Sequence, residues 1–458
     1  MTRISPARLV AYDVLRAVSG SDAYANLLLP TAISRAGLSG SDAGLATELT
    51  YGTLRRQGTY DAVIEIAADR PVDRIKPEVL DALRLAVHQL FATRVATHAA
   101  VNESVELARS AGGAKAAGFA NAVLRRISTE GADAWIARLE DQSRSDDERL
   151  AVTSSHPVWI LRAMRRALKA EGREEELADL LDADNASPAV TLSALPGLAD
   201  VPADAEPTPY SPRGFRHAGG APDPVVRGSG GRLRVQDEGS QLVALALAGL
   251  ADMPGAGERW LDLCAGPGGK TALLAARALE LGASLDANEI TPARAGLVRQ
   301  AIAGVPLDVE VYEQDGRHFA AAHAQTYDRI LVDAPCTGLG ALRRRPEARW
   351  RKSPADVGDL VPLQTELLDG AISALKPGGV VAYVTCSPHL AETAGVVADV
   401  RRIWGDAVEE LDARAALQQV SRGVLDLPAP SDGTGHAQLW PHRHGTDGMF
   451  LALLRRRP

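Results

Sequence analysis

At 458 residues the chain has room for about three domains of the ordinary ~150-residue size, and 46% hydrophobic with 24% charged residues excludes collagen-like, wholly disordered and small disulfide-scaffold classes. A net charge of -8 argues against attraction of nucleic acid over the whole surface. Yet R-R-R-P-E-A-R-W-R-K, Arg343 to Lys352, puts +5 into ten residues and leaves -13 for the remainder.

The longest apolar stretch, Leu242 to Ala251, falls well short of the ~20 residues of a spanning helix. The N-terminus lacks the separate hydrophobic core of a leader peptide. Three widely spaced cysteines, Cys264, Cys336 and Cys386, imply reduced thiols. The expectation is a cytoplasmic, monomeric protein without membrane contact.

Residues 1–140 read as an all-α domain, with apolar residues at helical spacing in Leu9, Val10, Val14, Val18 and in Leu83, Val87, Leu90. Breaks are expected at Gly37 to Asp42, Arg70-Pro71 and Gly112-Gly113. Residues 141–234 begin with charged helix, including Trp159 to Ala170, and pass into a Pro- and Gly-rich stretch from Pro202 to Gly231. That composition buries little and predicts a long surface connection in or beside a small α/β linker domain. From residue 235 to 458 short apolar runs alternate with helical stretches. The predicted strands are Arg259 to Leu263, Ser284 to Asn288, Val309 to Tyr312, Arg329 to Val332, Val380 to Thr385 and Met449 to Leu454. This alternation predicts a Rossmann-like α/β domain, its mostly parallel sheet covered on both faces and its ligands at the strands' carboxyl ends.

The first of those strands runs into C-A-G-P-G-G-K-T, Cys264 to Thr271, and then into a helix. Glycines at such a turn let the backbone approach a ligand, and the helix start offers unpaired N–H groups. A Walker A loop would need Gly where Cys264 stands, and a dinucleotide fingerprint begun at Gly266 would need Gly where Thr271 stands. An adenosyl cofactor with a methionine tail survives this elimination, held by Cys264, Ala265, Gly266, Pro267, Gly268, Gly269 and Lys270, with a glycine-rich turn that only closes the helix onto the sheet as the plain alternative. Glu289, twenty residues beyond Gly269 at the next strand's end, would accept from the ribose hydroxyls. Asp315 would face the adenine edge, with helix capping as the plain alternative. No metal site is expected. D-A-P-C-T-G-L-G ends the fourth strand and T-C-S-P-H follows the fifth, so Asp333, Cys336 and Cys386 gather at one rim.

These motifs, with R-R-R-P-E-A-R-W between them, resemble the S-adenosylmethionine-dependent RNA cytosine-5 methyltransferases of the Nol1/Nop2/Sun group over roughly Val235 to Arg456. N-E-S-V-E-L-A (Asn102 to Ala108) and F-A-N-A-V-L-R-R (Phe119 to Arg126) are similar to the NusB-like RNA-binding domain. That domain is fused to the RsmB (Sun/Fmu) type, which acts on small-subunit ribosomal RNA. Three mild departures stand out: A-G-P-G-G-K for a second Ala, Glu289 for Asp, and T-G-L-G for S-G-T-G.

The resemblance implies Cys386 as the nucleophile that adds to cytosine C6 and Cys336 as the thiol that assists its release. Asp333 would sit at the cytosine edge and near the cofactor. Cytosine C5 is a poor nucleophile until a thiolate adds at C6, so this chemistry requires a reactive cysteine. A substrate base would be flipped into the rim, and Arg343, Arg344, Arg345, Arg349 and Arg351 would hold phosphates beside it. The same catalytic motifs would serve transfer RNA or another ribosomal site. A non-catalytic RNA-binding assembly or antitermination factor is the reading from another class.

Overall fold

The structure, a computed structural model, describes residues 4–21, 23–429 and 433–458. The chain divides into two compact units. One comprises Met1–Arg162, Asp184–Ala186 and Leu342–Arg351, the other Ala163–Ala183, Ser187–Ala341 and Lys352–Pro458.

The first unit is helical, with helices Pro6–Gly20, Ala25–Arg35, Gly40–Arg55, Gln57–Ala68, Pro77–Ala92, Thr97–Ile127, Ala132–Gln142 and Asp146–Ser154. Pro6 and Pro77 open their helices, where a missing N–H costs nothing. The expected breaks fall at Gly37 to Asp42 and at Arg70-Pro71. Gly112-Gly113 gives a local kink instead, with Gly113 at φ 72° inside Thr97–Ile127. Val10, Val14, Val18, Leu83 and Val87 are buried in one core, whereas Leu9 is exposed. The buried apolar stripe on the first helix, Ala7, Val10, Ala11, Val14, Leu15 and Val18, follows the three- and four-residue helical spacing and excludes Leu9. Trp135 completes the core and donates its indole N–H to the Ile127 carbonyl at 3.1 Å.

In the second unit the Pro- and Gly-rich stretch is more ordered than its composition suggests. Strands β1 (Thr191–Ala194), β2 (Gly214–Arg216) and β3 (Leu233–Val235) form an antiparallel sheet in the order β2-β1-β3. Leu192, Ala194 and Phe215 are buried on it. Three- and four-residue strands carry too little alternation to stand out in the sequence.

The larger sheet comprises β4 (Arg259–Asp262), β5 (Ser284–Asn288), β6 (Val309–Tyr312), β7 (Tyr327–Asp333), β8 (Leu375–Thr385), β9 (Val408–Leu411), β10 (Ala437–Gln438) and β11 (Phe450–Arg456). Its order is β10-β11-β8-β7-β4-β5-β6, with β9 also on β11. Strands β4 to β8 run parallel to their neighbours, and β11 pairs antiparallel to β8. Val380, Ala382 and Val384 face a core that includes helices Glu238–Ala248 and Gly269–Leu281. Val381 and Tyr383 face the opposite core, with Phe319, Leu368 and Val397. Burial on both faces explains why β8 and β11 read as apolar runs. Among the described residues no helix is long and apolar enough to cross a membrane.

Candidate active site

Strand β4 hands the chain to the turn 263–268, which enters helix Gly269–Leu281. Gly268 sits at φ 103°, and a Cβ there would lie 2.5 Å from Ala301 Cβ. A Cβ on Gly266 would lie 2.2 Å from Glu289 Oε2. At Gly268 only glycine fits, whereas a side chain at Gly266 would have to displace the Glu289 carboxylate. Glu289, just beyond β5, accepts the Gly266 N–H at 3.1 Å and the Thr291 N–H at 3.0 Å. Arg294 closes the arrangement: it pairs with Glu289 at 3.3 Å and donates to the Gly266 carbonyl at 2.6 Å.

Beneath the turn, Thr271 donates its hydroxyl to Asp262 Oδ2 at 2.7 Å, while Asp262 Oδ1 is buried with no hydrogen-bond partner among the described residues. Burial, reinforced by Asp333, pushes the Asp262 carboxyl up to about 7. Burial also pushes the Cys264 thiol well up, helped by Asp262, Asp333 and Glu289, so this cysteine stays protonated.

Lys270 reaches across to Asp333 at the end of β7, with Nζ to Oδ2 2.8 Å. Burial works to lower the ammonium's pKa, but Asp333, with Cys386 and Asp262 nearby, raises it overall. The site therefore keeps a fixed positive charge. Because β7 and β8 are parallel neighbours with Asp333 opposite Val384, their following loops emerge together. Cys336 Sγ and Cys386 Sγ lie 3.5 Å apart. Both residues are half-buried, and no disulfide joins them. The Cys336 thiol is pushed well up by its hydrogen bond with Cys386 and by burial, with the negative charges of Cys386, Glu392 and Asp333 adding to the effect.

Asp315 lies after β6 and caps helix Gly316–Ala322, accepting the Arg317 N–H at 3.0 Å. Hydrogen bonds from the Arg317 side chain chiefly hold its carboxyl down to about 2. Among the described residues no cluster of His, Cys, Asp or Glu could hold a metal ion.

The arginine run requires a correction. Residues 342–351 belong to the helical unit, where Arg349 is fully buried. Its guanidinium donates to the carbonyls of Arg55 (2.9 Å), Ser155 (3.2 Å) and Asp184 (2.8 Å) and to Asn185 Oδ1 (2.8 Å). Arg351 donates to the Val18 and Ser21 carbonyls at 2.6 and 3.0 Å, and Arg343 is buried. Helix C-termini leave carbonyls unpaired and carry partial negative charge, and a planar guanidinium satisfies several at once. Arg349 and Arg351 thus hold helix ends instead of phosphates, and burial withdraws Arg343 from the surface as well. Arg344 and Arg345 are exposed.

The turn, Glu289, Lys270, Asp333, Cys336 and Cys386 therefore assemble around the carboxyl ends of β4, β5, β7 and β8. The sequence reading passed over Asp262, Thr271, Arg294 and Glu392. Arg294, five residues after Glu289, was readable as its counter-charge. Asp262 gave no signal beyond being a charge inside an apolar strand.

The turn suits an adenosyl-methionine group on its own geometry. Two glycines keep the backbone bare, and a buried, unpartnered carboxylate oxygen in Asp262 is a ready acceptor for an ammonium.

The family model for 16S rRNA methyltransferase RsmB/F matches residues 250–455, and the NusB family model matches residues 5–129. The chain is 49% identical over 459 residues to a Mycobacterium tuberculosis protein named as a candidate methyltransferase, covering 99% of this chain and 97% of that one. It is 32% identical to ribosomal RNA small subunit methyltransferase B of Pseudomonas putida, covering 94% of this chain and 98% of that one. The crystal structure of PH0851 shares the fold, with a TM-score of 0.80 at 22% identity over 99% of this chain and 100% of that one. An N-terminal NusB domain followed by a methyltransferase domain, with relatives of this identity matched along nearly their whole length, means that the chain belongs to the RsmB/F family of S-adenosylmethionine-dependent RNA methyltransferases.

Proposed function

We propose that the protein methylates C5 of a cytosine in small-subunit ribosomal RNA, in the cytoplasm, through a transient bond between Cys386 Sγ and C6. The observation that carries this reading is the pair of thiols 3.5 Å apart beside Lys270 and Asp333. A transferase acting on a ring nitrogen or a protein amine needs neither sulfur.

S-adenosylmethionine bound at residues 264–270 would supply a methyl group on a sulfonium. Glu289 would take the ribose, Asp315 the adenine edge alongside its capping role, and Asp262 and Asp333 the methionine end. Lys270 favours the thiolate of Cys386, as the mutual effect of opposite charges requires. That thiolate would add to C6, making C5 an enamine carbon able to take the methyl group, with the electrons of the broken S–CH3 bond staying on the donor sulfur as a neutral thioether. The C5 proton must then leave, and the C6–S bond breaks as the double bond re-forms.

Cys336 fits the second half of this sequence. While Cys386 is anionic, its charge and hydrogen bond keep the proton on Cys336. Once Cys386 is bonded to carbon that charge is gone, so Cys336 can release its proton to solvent and accept the one on C5. Arg344 and Arg345, the exposed arginines at the start of the run, would meet RNA phosphate.

RNA carrying 5-fluorocytosine, which has no C5 proton to lose, should trap a covalent complex that Cys386→Ala abolishes. Cys336→Ala should accumulate a complex with natural RNA. An undiminished complex in Cys386→Ala, or rapid turnover by Cys336→Ala, refutes the assignment.

A further inference from the structure

The two cysteine loops share an anchor outside the residues assigned so far. Glu392 is fully buried in the 3-10 turn after β8. One carboxylate oxygen accepts the Thr337 N–H at 2.8 Å and the Gln364 amide N–H at 3.1 Å. The other accepts the Ser387 hydroxyl at 2.7 Å and the Thr337 hydroxyl. Gln364 also donates to the Pro335 carbonyl at 2.8 Å. Tyr383 on β8 fixes the turn from below, donating to the Glu392 carbonyl at 2.7 Å. Thr337 follows Cys336 and Ser387 follows Cys386, so the residue next to each sulfur hangs from the same carboxylate.

A buried carboxylate is costly unless several donors meet it, and here four do. An amide at this position would accept fewer bonds and present N–H groups toward donors. We propose that Glu392 is a positioning residue of the methyl-transfer reaction, holding the Cys336 and Cys386 loops in register so that their sulfurs stay adjacent. The assignment of a reaction role rests on the functional reading above; the geometric role does not. The charge of Glu392 has a further effect, helping to keep Cys336 protonated.

The test uses the full chain and the variants E392Q, S387A and T337V. Phenylarsine oxide bridges two adjacent thiols, forming two As–S bonds and releasing water, and peptide mapping locates the product. E392Q should slow bridging of Cys336 to Cys386 about ten-fold while leaving single alkylation of Cys386 within about three-fold. In the methyl-transfer assay its kcat should fall about ten-fold with KM for RNA within about three-fold, since only alignment of the reacting groups is lost. S387A, which keeps three of the four donors, should slow bridging about three-fold.

Bridging within two-fold of the parent in folded E392Q overturns the proposal, as does a loss confined to KM. If E392Q does not fold, unchanged bridging in both S387A and T337V overturns it. A parent protein that bridges normally but never methylates cytosine refutes the functional reading instead, and bridging in the variants still decides the role of Glu392.

Discussion

Arg349 separates a structural from an RNA-binding account of the arginine run. Its four hydrogen bonds go to neutral oxygens in a fully buried setting, and each charge-assisted bond of this kind is worth about 1.5–3 kcal/mol. Burial opposes them, lowering the guanidinium's pKa to about 10, a cost of roughly 3 kcal/mol. Bonds sharing one donor group are not additive, so Arg349→Met, which fills the volume without the donors, should cost about 3–5 kcal/mol. For a unit of this size that lowers the melting temperature by about 6–20 °C, readable by far-ultraviolet circular dichroism. Below its melting point the variant should keep the parental slope of log affinity for RNA against log salt. Arg344→Gln with Arg345→Gln should do the reverse, keeping the melting temperature and lowering the slope by about 0.7 for each phosphate no longer neutralised. An Arg349→Met protein that melts with the parent but loses salt dependence would refute the reasoning.

Further perturbations report on the cofactor turn and its charges. Lys270→Met removes the fixed positive charge, so alkylation of Cys386 by iodoacetamide near neutral pH should slow about ten-fold, measured by mass spectrometry; an unchanged rate would mean that another group supports the thiolate. Asp262 ionises near 7 when folded and near 3.9 when unfolded. Over that window the native state holds the extra proton, so this group should remove up to about 4 kcal/mol of stability as pH rises from about 4 to 7. Asp262→Asn should lack that decline, and a parallel pH dependence of melting in both proteins would contradict the assignment. Gly268→Ala forces a left-handed backbone on alanine and sets its Cβ 2.5 Å from Ala301. The cost should be about 2–4 kcal/mol with weakened cofactor binding, and an unchanged melting temperature would show that the turn has another conformation.

The residues whose placement was readable are those for which residue type and place in the alternating pattern coincide. Glycines between a strand and a helix, an acid at the next strand's end and cysteines after two apolar runs each point to one rim without knowledge of strand order. Arg349 shows the opposite case. A cluster of guanidiniums reads as a solvent-facing surface because charge is normally hydrated, and only the positions of three helix ends reveal carbonyls enough to hold one inside. Glu392 stayed hidden for a related reason, since its four donors come from Thr337, Gln364 and Ser387, and nothing local announces that these converge.

Strand order is what turns these separate signals into one site. Parallel strands joined by a single helical crossover commonly lie side by side, and β7 and β8, joined through helix Pro354–Ala374, do so. Cys336 and Cys386, fifty residues apart, therefore meet. After β4 the chain travels outward through β5 and β6, then returns to place β7 on the other side of β4. The reversal opens the loops after β4 and β7 toward each other, the point at which open α/β sheets bind ligands. The Lys270 to Asp333 ion pair spans that reversal, joining the turn after β4 to the strand whose loop carries Cys336. Moving β7 to the outer edge beyond β6 would leave every motif intact and separate the turn from both thiols, so the topology is as much a part of the site as any side chain in it.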